Sequence, residues 1–232
     1  MSDKIDQILN GLNHKANLKQ YVYSHSITVF NAFRDCALNV VNTLAPKVLD
    51  KSPSVEIRLN KYGDFEFHLK FSGDTIVFLL HTNVFVFPPK HIINKSAYIK
   101  EHSDRGYFGM IQIYNFLSDS IKYNRQSDEG YLLARVFVNS ENDFYVEGRR
   151  QLGFLYKELG KYKLDKKHRH NIIEQCMLYC LDFDLFVPPT DALNQITVQE
   201  KNYFNNPSGI ATGKRLGFKV VNTLKHDPKN PH

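Results

Sequence analysis

Strict alternation of apolar and polar residues between positions 54 and 71 limits the fold of this chain more than any other feature. Val55, Ile57 and Leu59 alternate with polar residues, and the same period of two returns over residues 65–71. In a β-strand, a period of two places every second side chain on the same face of the sheet. The pattern therefore predicts two consecutive strands, each with one buried and one solvated face.

A short segment, Lys61-Tyr62-Gly63, separates the two predicted strands and suits a three-residue hairpin loop with the glycine in the left-handed conformation. Such a loop sets a register in which Arg58 lies opposite Glu66 and Glu56 lies opposite His68. Residues of opposite charge then face each other across the hairpin. We therefore expect an antiparallel pair whose charged side chains share the solvated face.

Further segments with strand character follow, separated by turn residues. Residues 75–80 are apolar on both faces, which is typical of a strand in the middle of a sheet that is covered on both sides. The other segments are residues 84–87, 107–117, 131–138 and 144–147. The sequence therefore predicts an antiparallel sheet of six or seven strands.

The connection over residues 88–106 is longer than the usual ~4–6 residues between elements. It contains several basic residues and only short apolar interruptions. Two interpretations are open, a functional loop and a solvated cover for a sheet edge. We favour the cover, because a solvated segment over a sheet edge has the same mixture of basic residues and short apolar interruptions.

Helical periodicity precedes the predicted sheet. Apolar residues at helical spacing over residues 5–12 predict a short helix. A longer apolar stripe predicts a second helix that is capped by Ser24 or Ser26 and stops before Pro46. These two elements form an N-terminal helix pair.

Helical periodicity also follows the predicted sheet. Residues 152–159 have apolar side chains at helical spacing up to Gly160, and residues 172–181 form a strongly apolar final helix. The fold class is therefore α+β, an antiparallel sheet of six or seven strands flanked by an N-terminal and a C-terminal helix pair. We expect a single domain over residues 1–204 and an extended, partly mobile tail over residues 205–232.

Charge and cysteine usage limit the partners and the compartment. Lys and Arg number 30 against 24 Asp and Glu, a net charge of +6 that mildly favours anionic partners. Cys36, Cys176 and Cys180 are odd in number and fit reduced core residues better than disulfides or a metal site. The N-terminal residues do not resemble a secretory signal, and no apolar run reaches the ~20 residues of a membrane helix. We therefore expect a cytoplasmic protein without membrane association, cofactor or metal.

Basic residues crowd between the two predicted C-terminal helices. The cluster consists of Lys161, Lys163, Lys166, Lys167, His168, Arg169 and His170, and Arg149 and Arg150 extend it upstream. Cations at the start of a helix oppose its dipole, and a bound phosphate or acidic partner would offset that conflict. The alternative is a solvated surface loop, in which screened charges cost little.

This cluster leads to a functional hypothesis, a non-catalytic binding or adaptor protein that engages an anionic ligand or a protein partner through the basic inter-helix turn. The first alternative is a nucleic-acid-binding protein that uses the same cluster together with exposed tyrosines. The second is a metal-dependent phosphodiesterase that uses Asp64, Glu66 and His68. Alternating charges on a solvated strand explain those three residues equally well.

Overall fold

The computed structural model describes residues 3–184 and Val198, and its centre is one six-stranded sheet. The strands are β1 (Ile57–Lys61), β2 (Glu66–Phe71), β3 (Asp74–Leu80), β4 (Gly109–Leu117), β5 (Tyr131–Val138) and β6 (Phe144–Gly148). Each strand pairs antiparallel with the next one in the chain, so the sheet runs up and down without crossovers. The predicted α+β class is confirmed. The tail predicted over residues 205–232 and its boundary lie outside the described residues.

The N-terminal helices form one helical run. Helix α1 (Asp3–Gly11) leads through a π-helical segment (Leu12–Ala16) into α2 (Asn17–Lys51). The predicted start at Ser24 or Ser26 is wrong, because the Ser26 hydroxyl lies inside the helix and donates to the Val22 carbonyl at 2.7 Å.

The predicted stop before Pro46 is also wrong. Pro46 lies inside α2, although its ring nitrogen cannot donate a helical hydrogen bond. Leu44 and Ala45 pack against the main core. Beyond the proline, Val48 is half-buried and the other residues up to Lys51 are exposed, so the helix continues there with little burial.

The main core lies between one face of the sheet and helices α2 and α5 (Lys166–Leu181). Phe30 and Phe33 of α2 pack with Phe67 and Phe78 of the sheet, and all four are fully buried. Cys36, Cys176 and Cys180 are buried free thiols in this core, as the sequence predicts. We call this face of the sheet the inner face.

A second, smaller core lies on the outer face, over strands β4 to β6. Ile93 and Ile99 from the long connection cover Phe108, Phe137 and Tyr145. The connection itself contains a 3-10 turn (Ile92–Lys95), helix α3 (Ala97–Glu101) and a second 3-10 turn (Ser103–Gly106). Phe85, just before it, forms an isolated β-bridge with Phe108. The connection therefore covers a sheet face rather than a sheet edge.

The first hairpin has a different register from the predicted one. Arg58 lies opposite Lys70, Asn60 lies opposite His68, and residues 62–65 form the loop, with Gly63 in the left-handed conformation at φ +75°. The two registers differ by an even number of residues, so both keep the same side chains on the buried face. Alternation alone therefore cannot distinguish them.

The C-terminal helix pair differs from the prediction in its first member. Only a 3-10 turn (Arg150–Gly153) forms there, and beyond it the Tyr156 carbonyl accepts from the Val146 N–H of β6 at 3.0 Å instead of continuing a helix. Helix α5 begins at Lys166, earlier than the apolar stripe indicated. A short helix, α4 (Ser118–Lys122), follows β4 and has no counterpart in the sequence analysis.

None of the helices within the described residues has both the length and the apolar character that crossing a lipid bilayer requires.

Candidate functional site

The segment from Lys161 to His170, which we call the basic turn, contains its own negative charge at the start of α5. Asp165 is the N-cap, and its carboxylate accepts hydrogen bonds at 2.8 Å from the backbone N–H and the ring Nδ1 of His168. The backbone hydrogen bond is the main cause that lowers the pKa of Asp165. This carboxylate offsets much of the conflict between the lysines and the helix dipole.

Several of the predicted contact residues already have partners within the protein. Lys163 Nζ lies 3.1 Å from Oδ2 of the buried Asp143, and Lys161 Nζ lies 3.4 Å from Glu158. These two cations are therefore engaged by the fold before any ligand arrives.

Two of the three arginines are engaged as well. Arg169 donates to the Leu164 carbonyl, and Arg150 donates to Asp182 at 2.8 Å. Arg149 is exposed in the segment before the 3-10 turn, away from the start of α5 in sequence. The predicted cluster is therefore divided among separate ion pairs rather than gathered around one point.

The remaining members of the cluster share a cavity of about 710 Å³, the turn cavity. Lys166, Lys167, His168 and His170 line it. Its other lining residues are Leu155, Tyr156, Tyr162, Asn171 and Glu174. The structure thus brings four of the nine predicted residues to one surface.

Aromatic rings hold His168 in the wall of the turn cavity. Its ring lies 5.4 Å from Tyr162, 5.6 Å from Tyr156 and 5.5 Å from Phe144, measured between centroids. Tyr156 accepts from Asn171 Nδ2 at 2.5 Å, and burial raises the pKa of Tyr156. The wall is therefore a packed aromatic group with exposed lysines beside it.

A second cavity, of about 690 Å³, lies on the outer face of β1 to β3 beside α4, and we call it the sheet cleft. Arg58, Lys70, Lys122 and Arg125 supply its cations. Sequence reasoning did not identify this surface. The period of two does place Arg58 and Lys70 on the solvated face, but nothing in the sequence brings Lys122 and Arg125 to them.

One carboxylate partly neutralises the positive charge of the two strand residues in the sheet cleft. Glu56 forms an ion pair with Lys70 and a second one with Arg58 at 2.8 Å. The hydrogen bond from Lys70 is the main cause that lowers the pKa of Glu56. At the end of α4, Lys122 Nζ lies 4.9 Å from the centroid of the Tyr123 ring. The interaction between Lys122 and Tyr123 raises the pKa of Lys122.

A histidine lies in the inner wall of the sheet cleft. His68 is only 6 % exposed, and its Nε2 lies 2.6 Å from Oε1 of Glu66. Burial lowers the pKa of His68, and Glu66 opposes that shift. The ring of Tyr62 packs on the imidazole with centroids 4.1 Å apart.

The residues of the phosphodiesterase alternative are only partly brought together. Glu66 and His68 contact each other, whereas Asp64 pairs with Lys61 at 3.1 Å in the hairpin loop. Over residues 3–184, no group of three or more His, Cys, Asp or Glu side chains is arranged to hold a metal ion.

Burial raises the pKa of the Cys176 thiol well above its usual value, which keeps that thiol neutral.

The tyrosines of the nucleic-acid alternative lie on several different surfaces. Tyr145 is buried in the second core, and Tyr131 packs against the main core. Tyr98 donates to Glu141 at 2.8 Å, and burial is the main cause that raises the pKa of Tyr98 to about 12. Tyr21 is 58 % exposed on α2. These four rings therefore form no common stacking platform.

No protein-family model, no curated protein and no solved structure matches this chain. Function is therefore inferred from the two cavities.

Proposed function

We propose that this chain is a non-catalytic binding or adaptor protein that engages an anionic ligand or partner at the basic turn. The observation that supports this function is the turn cavity, in which Lys166 and Lys167 are exposed beside His168 and His170. Lysine ammonium groups bind phosphate and carboxylate oxygens through charge-assisted hydrogen bonds. The cavity volume of about 710 Å³ lies in the range of about 300–1,000 Å³ that is typical of ligand pockets.

Side chains rather than helix amides contact the anion in this proposal. Asp165 already caps α5 and accepts from the His168 N–H, so that amide is occupied. Glu174 and Asp165 lie near the two lysines, and the net local charge is therefore small. We expect modest affinity and a marked weakening with salt, because exposed ion pairs are screened.

The experiment is a titration of the full chain with inorganic pyrophosphate, followed by amide chemical shifts in NMR spectra. We expect shifts within residues 161–170, and a loss of affinity of roughly tenfold at this site in the Lys166→Gln, Lys167→Gln double variant. The matched control is Lys95→Gln, Lys100→Gln, which removes the same charge from exposed lysines of the long connection. The control should retain its affinity within about twofold.

Two outcomes would overturn the proposal. Amides of the basic turn that do not shift would show that the turn is not a contact site. Equal losses in the double variant and its control would show that binding follows net charge alone. A parallel titration with labelled single-stranded RNA addresses the first alternative. A nucleic-acid-binding protein would bind RNA but not pyrophosphate. The salt dependence of its RNA affinity would flatten when Lys166, Lys167 and Arg169 are neutralised.

A further inference from the structure

We propose that the sheet cleft is a second anion-binding site, separate from the basic turn, and that it takes a compact phosphate ester. Its four cations come from separate parts of the chain, Arg58 from β1, Lys70 from β2, and Lys122 and Arg125 from α4 and the loop behind it. They line one concavity of about 690 Å³. Three or more cations around one cavity suit a group with several negative oxygens, as in a phosphate ester.

The balance of charge favours an anion more strongly here than at the basic turn. Within the lining of the sheet cleft, Asp119 is the one carboxylate among the described residues. Glu56 lies outside the lining, in contact with Lys70 and Arg58. The lining itself therefore holds four basic side chains and one carboxylate, and Glu56 and Glu66 contact lining residues. In the turn cavity, two lysines are set against Glu174 and the neighbouring Asp165.

The ion pair between Arg58 and Glu56 does not block the site, whereas Lys70, whose side chain is 20 % exposed, stays paired with Glu56. Arg58 and Glu56 are about half exposed, at 53 % and 47 % of their side-chain surfaces. An exposed ion pair contributes little stability, because water competes for both partners. A phosphate can therefore replace the carboxylate on Arg58, whose planar guanidinium binds two phosphate oxygens at once.

Polar groups form the floor of the cleft. Thr75 and Ser118 are both buried, and their hydroxyl oxygens lie 2.9 Å apart within the cavity lining. Ser118 also donates to the Ser72 carbonyl at 3.4 Å. Asn60 and Ser72 complete the set of neutral hydrogen-bonding groups. Such groups fix the orientation of a polar ligand, whereas the cations supply attraction.

An exposed aromatic ring stands at the rim of the cleft. Tyr62 is 48 % exposed, and one of its faces packs on His68. A flat group on the ester, such as a nucleobase, can pack on the exposed part of this ring. The cations surround one concavity rather than following a long track, so a compact ester fits better than an extended polyanion.

The experiment is isothermal titration calorimetry of the full chain with inorganic triphosphate, ATP and adenosine as separate probes, with NMR amide shifts to locate the site. We expect triphosphate and ATP to shift amides of β1, β2 and residues 118–125. The Arg58→Gln, Lys122→Gln variant should weaken binding at this site by roughly tenfold or more. The Lys166→Gln, Lys167→Gln variant, which alters only the basic turn, should leave it within about twofold.

A second variant keeps the test decisive if the first one folds poorly. Glu56→Gln removes the competing carboxylate and leaves all four cations in place, so triphosphate should bind a few-fold tighter. The proposal is overturned if Glu56→Gln and Arg58→Gln, Lys122→Gln both leave the affinity unchanged, or if adenosine binds as well as ATP. Shifts confined to residues 161–170 would overturn the sheet cleft while supporting the basic turn, so the two proposals fail separately.

Discussion

The basic turn and the sheet cleft present positive charge in opposite ways. In the turn, the cations are adjacent in sequence, yet Lys161 and Lys163 form ion pairs with carboxylates of the same protein. In the cleft, the cations are distant in sequence, from Arg58 to Arg125, and the sheet brings them into one cavity. Charge density along a chain is therefore a poor guide to charge density in space, because folding pairs some neighbours and gathers distant residues.

The difference has a structural cause. The basic turn joins α5 to the segment after β6, and its lysines contact carboxylates of the same region, such as Asp143 and Glu158. The sheet cleft lies on the part of the outer face that the long connection leaves uncovered within residues 3–184. Cations of the turn are thus partly structural, whereas those of the cleft, including Arg58 and Lys70 in their ion pairs with Glu56, line an open surface.

The largest expected effect concerns Lys163, which we assign to the structural group. Asp143 is 1 % exposed and accepts from the Gly160 N–H at 2.6 Å, and Lys163 supplies its nearby positive charge. Lys163→Ala leaves this carboxylate without its counter-charge and should lower the free energy of unfolding by about 2 kcal/mol. Urea unfolding measures this loss.

A double variant serves as the control for Lys163. Adding Asp143→Asn removes the unpaired charge and should restore part of the stability, whereas independent effects would simply add. Pyrophosphate affinity at the basic turn should change by less than about twofold in Lys163→Ala. A stable variant with a large loss of affinity would place Lys163 among the ligand contacts instead.

A smaller effect is expected at Asp165, which has two roles at the basic turn. Asp165→Ala removes the N-cap of α5 and should cost about 1 kcal/mol of stability. It also removes a negative charge beside Lys166 and Lys167, so pyrophosphate should bind tighter at the turn and unchanged at the cleft. Urea unfolding and NMR titration measure the two quantities.

Asp165→Asn separates capping from charge, because asparagine caps helices about as well as aspartate. We expect this variant to keep most of the stability and still to show the tighter binding. If Asp165→Asn binds pyrophosphate no better than the unmodified chain, the carboxylate does not oppose an anion, and the contrast between turn and cleft weakens.

The sequence predicts the sheet well because a period of two is a local property. Strand β5 occupies residues 131–138 as predicted, and alternation alone assigns the inner and outer faces of the first hairpin. The register of that hairpin depends on packing against the rest of the core, which no local pattern contains, and the continuation of α2 past Pro46 has no local signal either.

The candidate sites were less predictable than the fold. Lys166 and Lys167 stand out as a basic run, and they do line the turn cavity. The pairing of Lys163 with Asp143 depends on β6 lying next to the turn. Lys122 and Lys70 line the same cavity because β3 and β4 place α4 beside β2. Contacts between distant segments therefore decide which cations line a common cavity.

The smallest expected effect is the pH dependence that His68 contributes at the sheet cleft. Burial lowers the pKa of His68 in the folded chain, whereas the unfolded chain titrates near the ordinary value of about 6.5. The unfolded state therefore binds more protons as the pH falls below about 6.5, and the stability from neutral His68 is present above that pH and decreases below it. Protonation of folded His68 at still lower pH also adds a positive charge to the cleft wall. Triphosphate itself loses charge toward low pH, so its affinity should fall less in the unmodified chain than in His68→Gln.

Urea unfolding between pH 5 and 8 tests this dependence when His68→Gln is compared with the unmodified chain. His25, whose pKa burial also lowers, contributes to both curves and cancels in their difference. His14→Gln, a change at an exposed histidine of the π-helical segment, is the matched control. The difference curve for His68→Gln should slope so that the unmodified chain loses more stability at low pH. A flat difference, together with triphosphate affinities that change equally with pH in the two chains, would show that His68 does not couple protons to the sheet cleft.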